Sequence, residues 1–333
     1  MKIFLFAILL LAANCTNLIA QTLQIPSDKE RIEAAKAERK LVWYTGLLNP
    51  DAKRILDSFQ KKYPFIEATF FRSSAEAMIN RVLTEDRAGR SAFDVANNST
   101  LVLLQKRGLL QPYLSPEIKN FRPGFFDPQG YWSMMYGGCF VIAYNTKLVS
   151  RSRAPRNWED LLRPEWQGKI GMDKEEWLWY GAMLDYWGEN RAKQFMKALA
   201  KQKPHWRKGH ALINQLMAAG EFHVGITYPH LIDRMVEQGA PVEWIRTTDP
   251  ILTSMNTLVV PAKTNSPNAA RLFVDFVLGS QIQGIIRETG RVPGRHDMLP
   301  EEYKKLKLHP IAPKILENLE RYATEFSEIF EIH

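Results

Sequence analysis

The side chains in this chain that could do chemistry are hydroxyls, amides, phenols, indoles and imidazoles at the ends of apolar runs. That pattern suits gripping a ligand. Tyr44 and Thr45 close the run Leu41-Val42-Trp43-Tyr44-Thr45, and Asn97 and Asn98 follow Phe93-Asp94-Val95-Ala96. Ser73 and Ser74 stand where a helix is expected to begin. Hydroxyls and unpaired backbone N–H groups converge there, which suits an anion. The competing role for Ser73 is that of a helix cap. Tyr136 lies beside Gly137-Gly138, and Tyr228 and His230 flank Pro229 after Phe222–Thr227. Trp177 and Tyr180 share a helix face and could hold a ring or a cation, with core packing as the alternative.

No catalytic constellation accompanies these residues. The chain contains no G-x-S-x-G, H-E-x-x-H, G-x-x-x-x-G-K-[ST] or G-x-G-x-x-G. His205 and His210 are five apart with no third ligand near in sequence, which argues against a zinc site. Cys139 has no adjacent His signature and is expected to be a buried, inert thiol. The reading therefore assigns no catalytic residue, no metal ligand and no cofactor.

Composition narrows the class further. With 45% hydrophobic and 24% charged residues over 333 positions, the chain can bury a sizeable core, so a disordered, collagenous or coiled-coil protein is excluded. Mean hydropathy is −0.28. No apolar run of 18 or more follows the first twenty residues, so no transmembrane helix is expected there. Two cysteines exclude a disulfide scaffold. The formal charge of +8 is spread among acids, as in Lys174-Glu175-Glu176, which reads as a solvated surface and not a nucleic-acid patch. At the start, Lys2, an apolar run from Ile3 to Ala13 and Ala20-Gln21 form the three regions of a secretory signal peptide, residues 1–20. Lipidation at Cys15 is the rival, but Asn14 stands where a lipobox wants a small residue.

The elements that must position the candidate residues alternate. Ser27-Asp28-Lys29-Glu30 is a capping box that opens a helix to about Arg39, and Asn49-Pro50 opens another bearing Ile55, Leu56 and Phe59. Strands at Leu41–Thr45, Ile66–Phe71 and Phe93–Ala96 are separated by helices, which predicts parallel strands with crossover helices: an α/β lobe. Tyr131 to Tyr144, broken by Gly137-Gly138, reads as extended chain passing to a second lobe. That lobe holds strands at Lys169–Met172, Phe222–Thr227 and Val242–Ile245. Thr257–Val260 returns to an apolar strand, followed by an amphipathic helix with Leu272, Phe273, Phe276 and Val277. The expected division is lobe 1 at 21–136 and 251–333, and lobe 2 at 137–250. Hinges are expected near Gly137-Gly138 and Asp249–Ser254. Ligands of open α/β sheets bind at carboxyl ends of strands, here in the cleft between lobes.

Several segments, taken in order, resemble the extracellular solute-binding proteins of bacterial ABC importers, in the subgroup around the ferric-binding proteins. They are Leu41–Gly46, Leu83–Gly89, Ala143–Val149, Trp158–Leu162 with Trp166–Gly171, Ala219-Gly220-Glu221 with Val224-Gly225, and Pro267–Phe273. The resemblance implies a two-lobed type II periplasmic-binding fold that closes on a small-molecule ligand by hinge motion. It implies delivery to an ABC permease with its ATPase, a periplasmic location, a monomer, and no nucleic-acid partner. Ferric-binding relatives typically hold iron with an adjacent Tyr pair in the loop after the strand equivalent to His223–Thr227. This chain reads Tyr228-Pro229-His230 there, so the pair is absent. Hard Fe(III) wants anionic oxygen donors, and Tyr228 with His230 is too few. The expected ligand is a small organic anion such as a phosphonate, a carboxylate or a phosphorylated compound, held by Tyr44, Thr45, Ser73, Ser74, Asn97, Asn98, Tyr136, Trp177, Tyr228 and His230. Ferric iron, as a chelate or with a synergistic anion, is the alternative. An enzyme or a sensory receptor on the same fold ranks below both, because fold does not fix function.

N-terminal sequencing of the exported protein is expected to read Gln21 first. An acylated Cys15 would overturn that expectation.

Overall fold

The computed structural model describes residues 28–332. The expected secretory leader, Cys15 and the Ser27 cap lie outside the described residues. In chain order the first elements are α1 (Asp28–Glu38), β1 (Lys40–Thr45), α2 (Asn49–Lys62), β2 (Glu67–Arg72), α3 (Ala75–Arg87), β3 (Val95–Asn98) and β4 (Leu110–Gln111). The middle of the chain holds β5 (Ser133–Cys139), β6 (Val141–Asn145), β7 (Ile170–Asp173), α4 (Trp177–Trp187), α5 (Glu189–Ala200), β8 (His205–Arg207), α6 (His210–Ala219), β9 (Val224–Thr227), α7 (Pro229–Glu237) and β10 (Val242–Trp244). It ends with β11 (Ile251–Pro261), α8 (Pro267–Leu278), α9 (Ser280–Glu288), β12 (Val292–Pro293), α10 (Glu301–Lys304), β13 (Leu308–Pro310), α11 (Pro313–Leu316) and α12 (Leu319–Phe330). Among the described residues no single helix is long and apolar enough to cross a membrane.

These strands form two sheets. The first has eight strands in the order β12-β5-β11-β3-β1-β2, with β13 and β4 also pairing β11. The second has five, β10-β6-β9-β7-β8. In the first, β1 runs parallel to both β2 and β3, as crossover helices require, and β11 enters antiparallel between β3 and β5. The first layer packs α2 and α8 on Trp43: Phe59, Phe273 and Trp43 meet with ring centroids 5.0 and 5.1 Å apart. The second layer buries Trp158, Trp179, Tyr180 and Phe195.

Three short segments pass between the layers, at Phe140, at 245–250 and at 311–312. They lie side by side. Phe140 N donates to Leu252 O at 2.9 Å, and Ile311 N donates to Thr253 O at 2.9 Å. The crossing at Phe140 lies two residues past Gly137-Gly138, which lie near the end of β5, with Gly137 partnered on both sides. Gly137 serves close approach: a Cβ on it would lie 2.5 Å from the Ser254 carbonyl oxygen and 2.6 Å from Met134 Cε. The chain after Ile311 departs from the expected division. It was assigned to the first lobe, but α12 packs on α4. Tyr180 Oη donates to Glu325 Oε2 at 2.8 Å, and Trp206 meets Phe326 and Phe330 at 5.8 and 5.1 Å. The apolar stripe of Tyr322, Phe326 and Phe330 finds its complement there, in the second layer's core.

Gly137→Ala is expected to cost about 1–3 kcal/mol of unfolding free energy through overpacking against a backbone oxygen. Gly284→Ala, inside α9 with its nearest outside atom at 3.5 Å, should be neutral or stabilising. Chemical denaturation of both variants checks this; equal stability would count against the close-approach account.

Candidate functional site

The residues after the carboxyl ends of β3 and β9 face the gap between layers, and a cleft of about 180 Å³ opens there. Its first-layer wall is Ser99, Tyr136, Gly137, Gly138, Ser254, Met255, Asn256 and Arg291; its second-layer wall is Tyr228 and His230. A wider depression, about 600 Å³, includes Arg151, Arg156 and Arg246 but draws its lining from the second layer alone.

On the first-layer side, β5 and β11 pair with Gly138 opposite Ser254 and Tyr136 opposite Asn256. Ser254 Oγ donates to Gly138 O at 3.1 Å. Asn97 connects this wall to the core: its Oδ1 accepts from Trp43 Nε1 at 2.9 Å, and its Nδ2 donates to Asn256 Oδ1 at 2.6 Å. The Asn256 amide nitrogen is thereby left to face the cleft. Arg291 stands just before β12, bonded through Nη1 to Asp51 at 2.9 Å and to Thr289 at 2.8 Å. Its guanidinium lies 5.2 Å from the Tyr136 ring centroid, and its remaining N–H groups are spare donors. Burial raises the Tyr136 phenol to about 12, with Arg291 opposing.

On the second-layer side, Tyr228 precedes α7, and Pro229 at the helix start fixes where the chain turns. The Tyr228 ring packs on Phe140 at 5.1 Å, on His210 at 4.3 Å, and stacks on His230 at 5.8 Å. Burial raises the Tyr228 phenol above its ordinary value, and Glu176 and Asp173 raise it further. His230 reaches across to Gly290, where a Cβ would come within 3.1 Å of His230 Cβ and φ is +79°. Only glycine lets the two layers meet that closely. Burial, then the positive charges of Arg291 and Arg234, depress His230 to about 4.

Tyr136, Tyr228 and His230 are thus brought together, and seven other candidates are not in the cleft wall. Tyr44 lies on the opposite face of β1 from Trp43, stacked on Phe93 at 4.9 Å with its hydroxyl donating to Glu85 at 2.8 Å. Thr45 is fully buried and accepts from Leu47 N. Ser74 caps α3, accepting from Ala77 N, and is exposed, while Ser73 donates to the Ser74 carbonyl; neither lines the cleft, so the expected anion site at this helix end is not formed there. Asn97 is buried behind the wall, and Asn98 accepts from Thr100 N at 3.1 Å as a local turn. Trp177 is half-buried against the second layer's core. Sequence reasoning also missed Ser254, Asn256 and Arg291. It separated His210 from any partner, whereas the fold brings Asp173 and Glu176 to it. Cys139 is buried, its Sγ 3.5 Å from Thr253 Oγ1, and burial pushes its thiol up to about 12.

His230 is neutral when folded and titrates near 6.5 when unfolded, so the unfolded chain binds more protons between about pH 6.5 and 4. Stability is expected to fall as pH falls through that window. Solvent still reaches the ring, so the loss is roughly 2 kcal/mol and not the full linkage value. His230→Gln should remove that slope. Unfolding free energies of both proteins across the window check it, and parallel curves would overturn it.

Comparison with known proteins agrees with this architecture. Residues 93–311 match the family of bacterial extracellular solute-binding proteins. The Fe(3+)-binding periplasmic protein of Serratia marcescens is 23% identical over 268 residues, 77% of this chain and 78% of that protein. An uncharacterized protein of Haemophilus influenzae is 22% identical over 272 residues, again 77% and 78%. Among solved structures, iron-bound HitA from Pseudomonas aeruginosa superposes with a TM-score of 0.73 at 19% identity, covering 87% of this chain and 99% of that one. AfuA from Actinobacillus pleuropneumoniae, with fructose-6-phosphate bound, does so with a TM-score of 0.69 at 23% identity, covering 88% and 99%. The two-sheet α/β architecture is the two-lobed periplasmic-binding-protein fold, and the chain belongs to the family of bacterial extracellular solute-binding proteins.

Proposed function

We propose that this protein is the periplasmic capture component of an ABC importer and that it takes a small organic ligand with at least one anionic group. The observation that carries the reading is Arg291. It is the cationic side chain of the cleft wall, pre-oriented by Asp51 and the Tyr136 ring, with Asn256 and the hydroxyls of Ser99 and Ser254 beside it. Arg with spare N–H donors suits a phosphonate, a carboxylate or a phosphate ester. The anion site is therefore moved from the Ser73-Ser74 helix end to Arg291. Tyr228 and His230 cover the ligand from the second layer. The moving bodies are residues 28–139 with 251–310, and 140–250 with 311–332. They rotate about the three adjacent crossings, and closure is stabilised by contacts that only the closed state makes. The protein is read as a monomer that hands its ligand to a membrane permease, and as a binder, not an enzyme. The bound fructose-6-phosphate of the AfuA structure supports a phosphorylated ligand.

Ferric iron, bare or chelated, is the second reading. Tyr228 and His230 side by side in the cleft favour it, as do the iron-binding relatives. Against it, Pro229 removes a second phenol, and burial with two nearby carboxylates holds the Tyr228 phenol protonated.

Calorimetry with sugar phosphates, phosphonates, dicarboxylates and ferric citrate tests both. The anionic ligand that binds should lose roughly tenfold or more in affinity in Arg291→Gln, the loss expected for a charged hydrogen bond, and should lose affinity in Tyr228→Ala, while Ser74→Ala should bind as wild type. A ligand indifferent to Arg291→Gln and Tyr228→Ala would overturn the site. A visible ferric charge-transfer band lost in Tyr228→Phe would establish the iron reading instead.

A further inference from the structure

Behind Tyr228, three elements of the second layer bring a second set of groups together. Asp173 ends β7, Glu176 sits one turn later just before α4, and His210 opens α6. One donor atom from each lies within 4.8 Å of the other two. His210 Nε2 faces Glu176 Oε1, and His210 Nδ1 lies 3.7 Å from Asp173 Oδ2. None of the three lines the cleft; the Tyr228 ring, 4.3 Å from the His210 ring, is the partition.

The cluster is incomplete as it stands. Glu176 is 2% exposed, yet its Oε2 has no hydrogen-bond partner. Asn214 is fully buried one turn along α6 from His210, and neither of its amide atoms is bonded. Buried polar atoms without partners are costly, so their concentration around one imidazole points to a missing bonded species. The charge balance agrees. Two buried carboxylates against one imidazolium leave a net negative charge, whereas two carboxylates with a neutral imidazole and a dication sum to zero.

The geometry points to a divalent transition-metal site of the zinc type, formed by Asp173, Glu176 and His210 in the second layer and distinct from the cleft. One imidazole and two carboxylates are ordinary zinc donors, with a fourth position left for water or another group. Donors around zinc stand roughly 3.4 Å apart, given metal–ligand distances of about 2.1 Å, so an ion entering here would part His210 from Glu176 and take the place of their direct contact. An ion here would lock β7, α4 and α6 together beneath Tyr228.

The test uses the full chain stripped with a chelator and no organic ligand present, so it succeeds or fails independently of the importer reading. Calorimetry with Zn²⁺ and the visible spectrum with Co²⁺ should show one equivalent bound. Glu176→Gln and His210→Gln should each weaken it roughly tenfold or more and erase the Co²⁺ spectrum. His205→Ala, on β8, should bind as wild type. Circular dichroism confirms that the near-isosteric Glu176→Gln variant folds. No stoichiometric uptake, or uptake unchanged in Glu176→Gln and His210→Gln, overturns the proposal.

Discussion

The start of β11 is the point on which the architecture turns. Leu252 and Thr253 lie where three chain crossings meet, and their carbonyls accept the backbone N–H groups of Phe140 and Ile311. Backbone groups buried between two layers must be paired, so these bonds fix how the crossings lie against one another. The same strand continues into the first sheet, where its register sets Ser254 beside Gly138 and Asn256 beside Tyr136. One run of eleven residues thus holds the layers together and builds one wall of the cleft. It also explains Gly137 of β5, which cannot carry a side chain without striking the Ser254 carbonyl of β11.

Electrostatics divide the two walls. On the first, Arg291 is held by Asp51 yet keeps donors to spare, so its charge is oriented and not quenched. On the second, charge lies deeper: Asp173, Glu176 and His210 sit behind aromatic rings, where water screens poorly and imbalance is costly. The phenol of Tyr228 and the imidazole of His230 are both kept neutral by their surroundings. The cleft therefore has a cationic wall on one side and a neutral aromatic one on the other.

Much of the fold was legible in the sequence because it rests on periodicity. Strand–helix alternation at Leu41–Gly108 and the stripe of Leu272, Phe273, Phe276 and Val277 carried the α/β reading directly. The site was less legible, for two reasons. Residues that end a strand alternate faces, so Tyr44 points into the core opposite Trp43 although it sits at the expected position. The remaining site groups come from pairings that no local pattern records. Arg291 precedes a two-residue strand, β12, that exists only because β5 is there to receive it. His210 and Glu176 are 34 positions apart and meet only after β7 and β8 have paired. Tyr228 and His230 were legible because they directly follow the strand at 222–227, whose carboxyl end faces the gap between layers.

The C-terminal helix adds a constraint on motion. Because α12 docks on α4 and α5 while β13 pairs with β11, the chain crosses between layers a third time. Two crossings would define a simple hinge axis. Three adjacent ones, tied through Leu252 and Thr253, resist twisting perpendicular to that axis and leave opening and closing as the soft mode. Near them, where β12 pairs with β5, His230 approaches Gly290 across the two layers, a contact made by packing and not by the covalent chain.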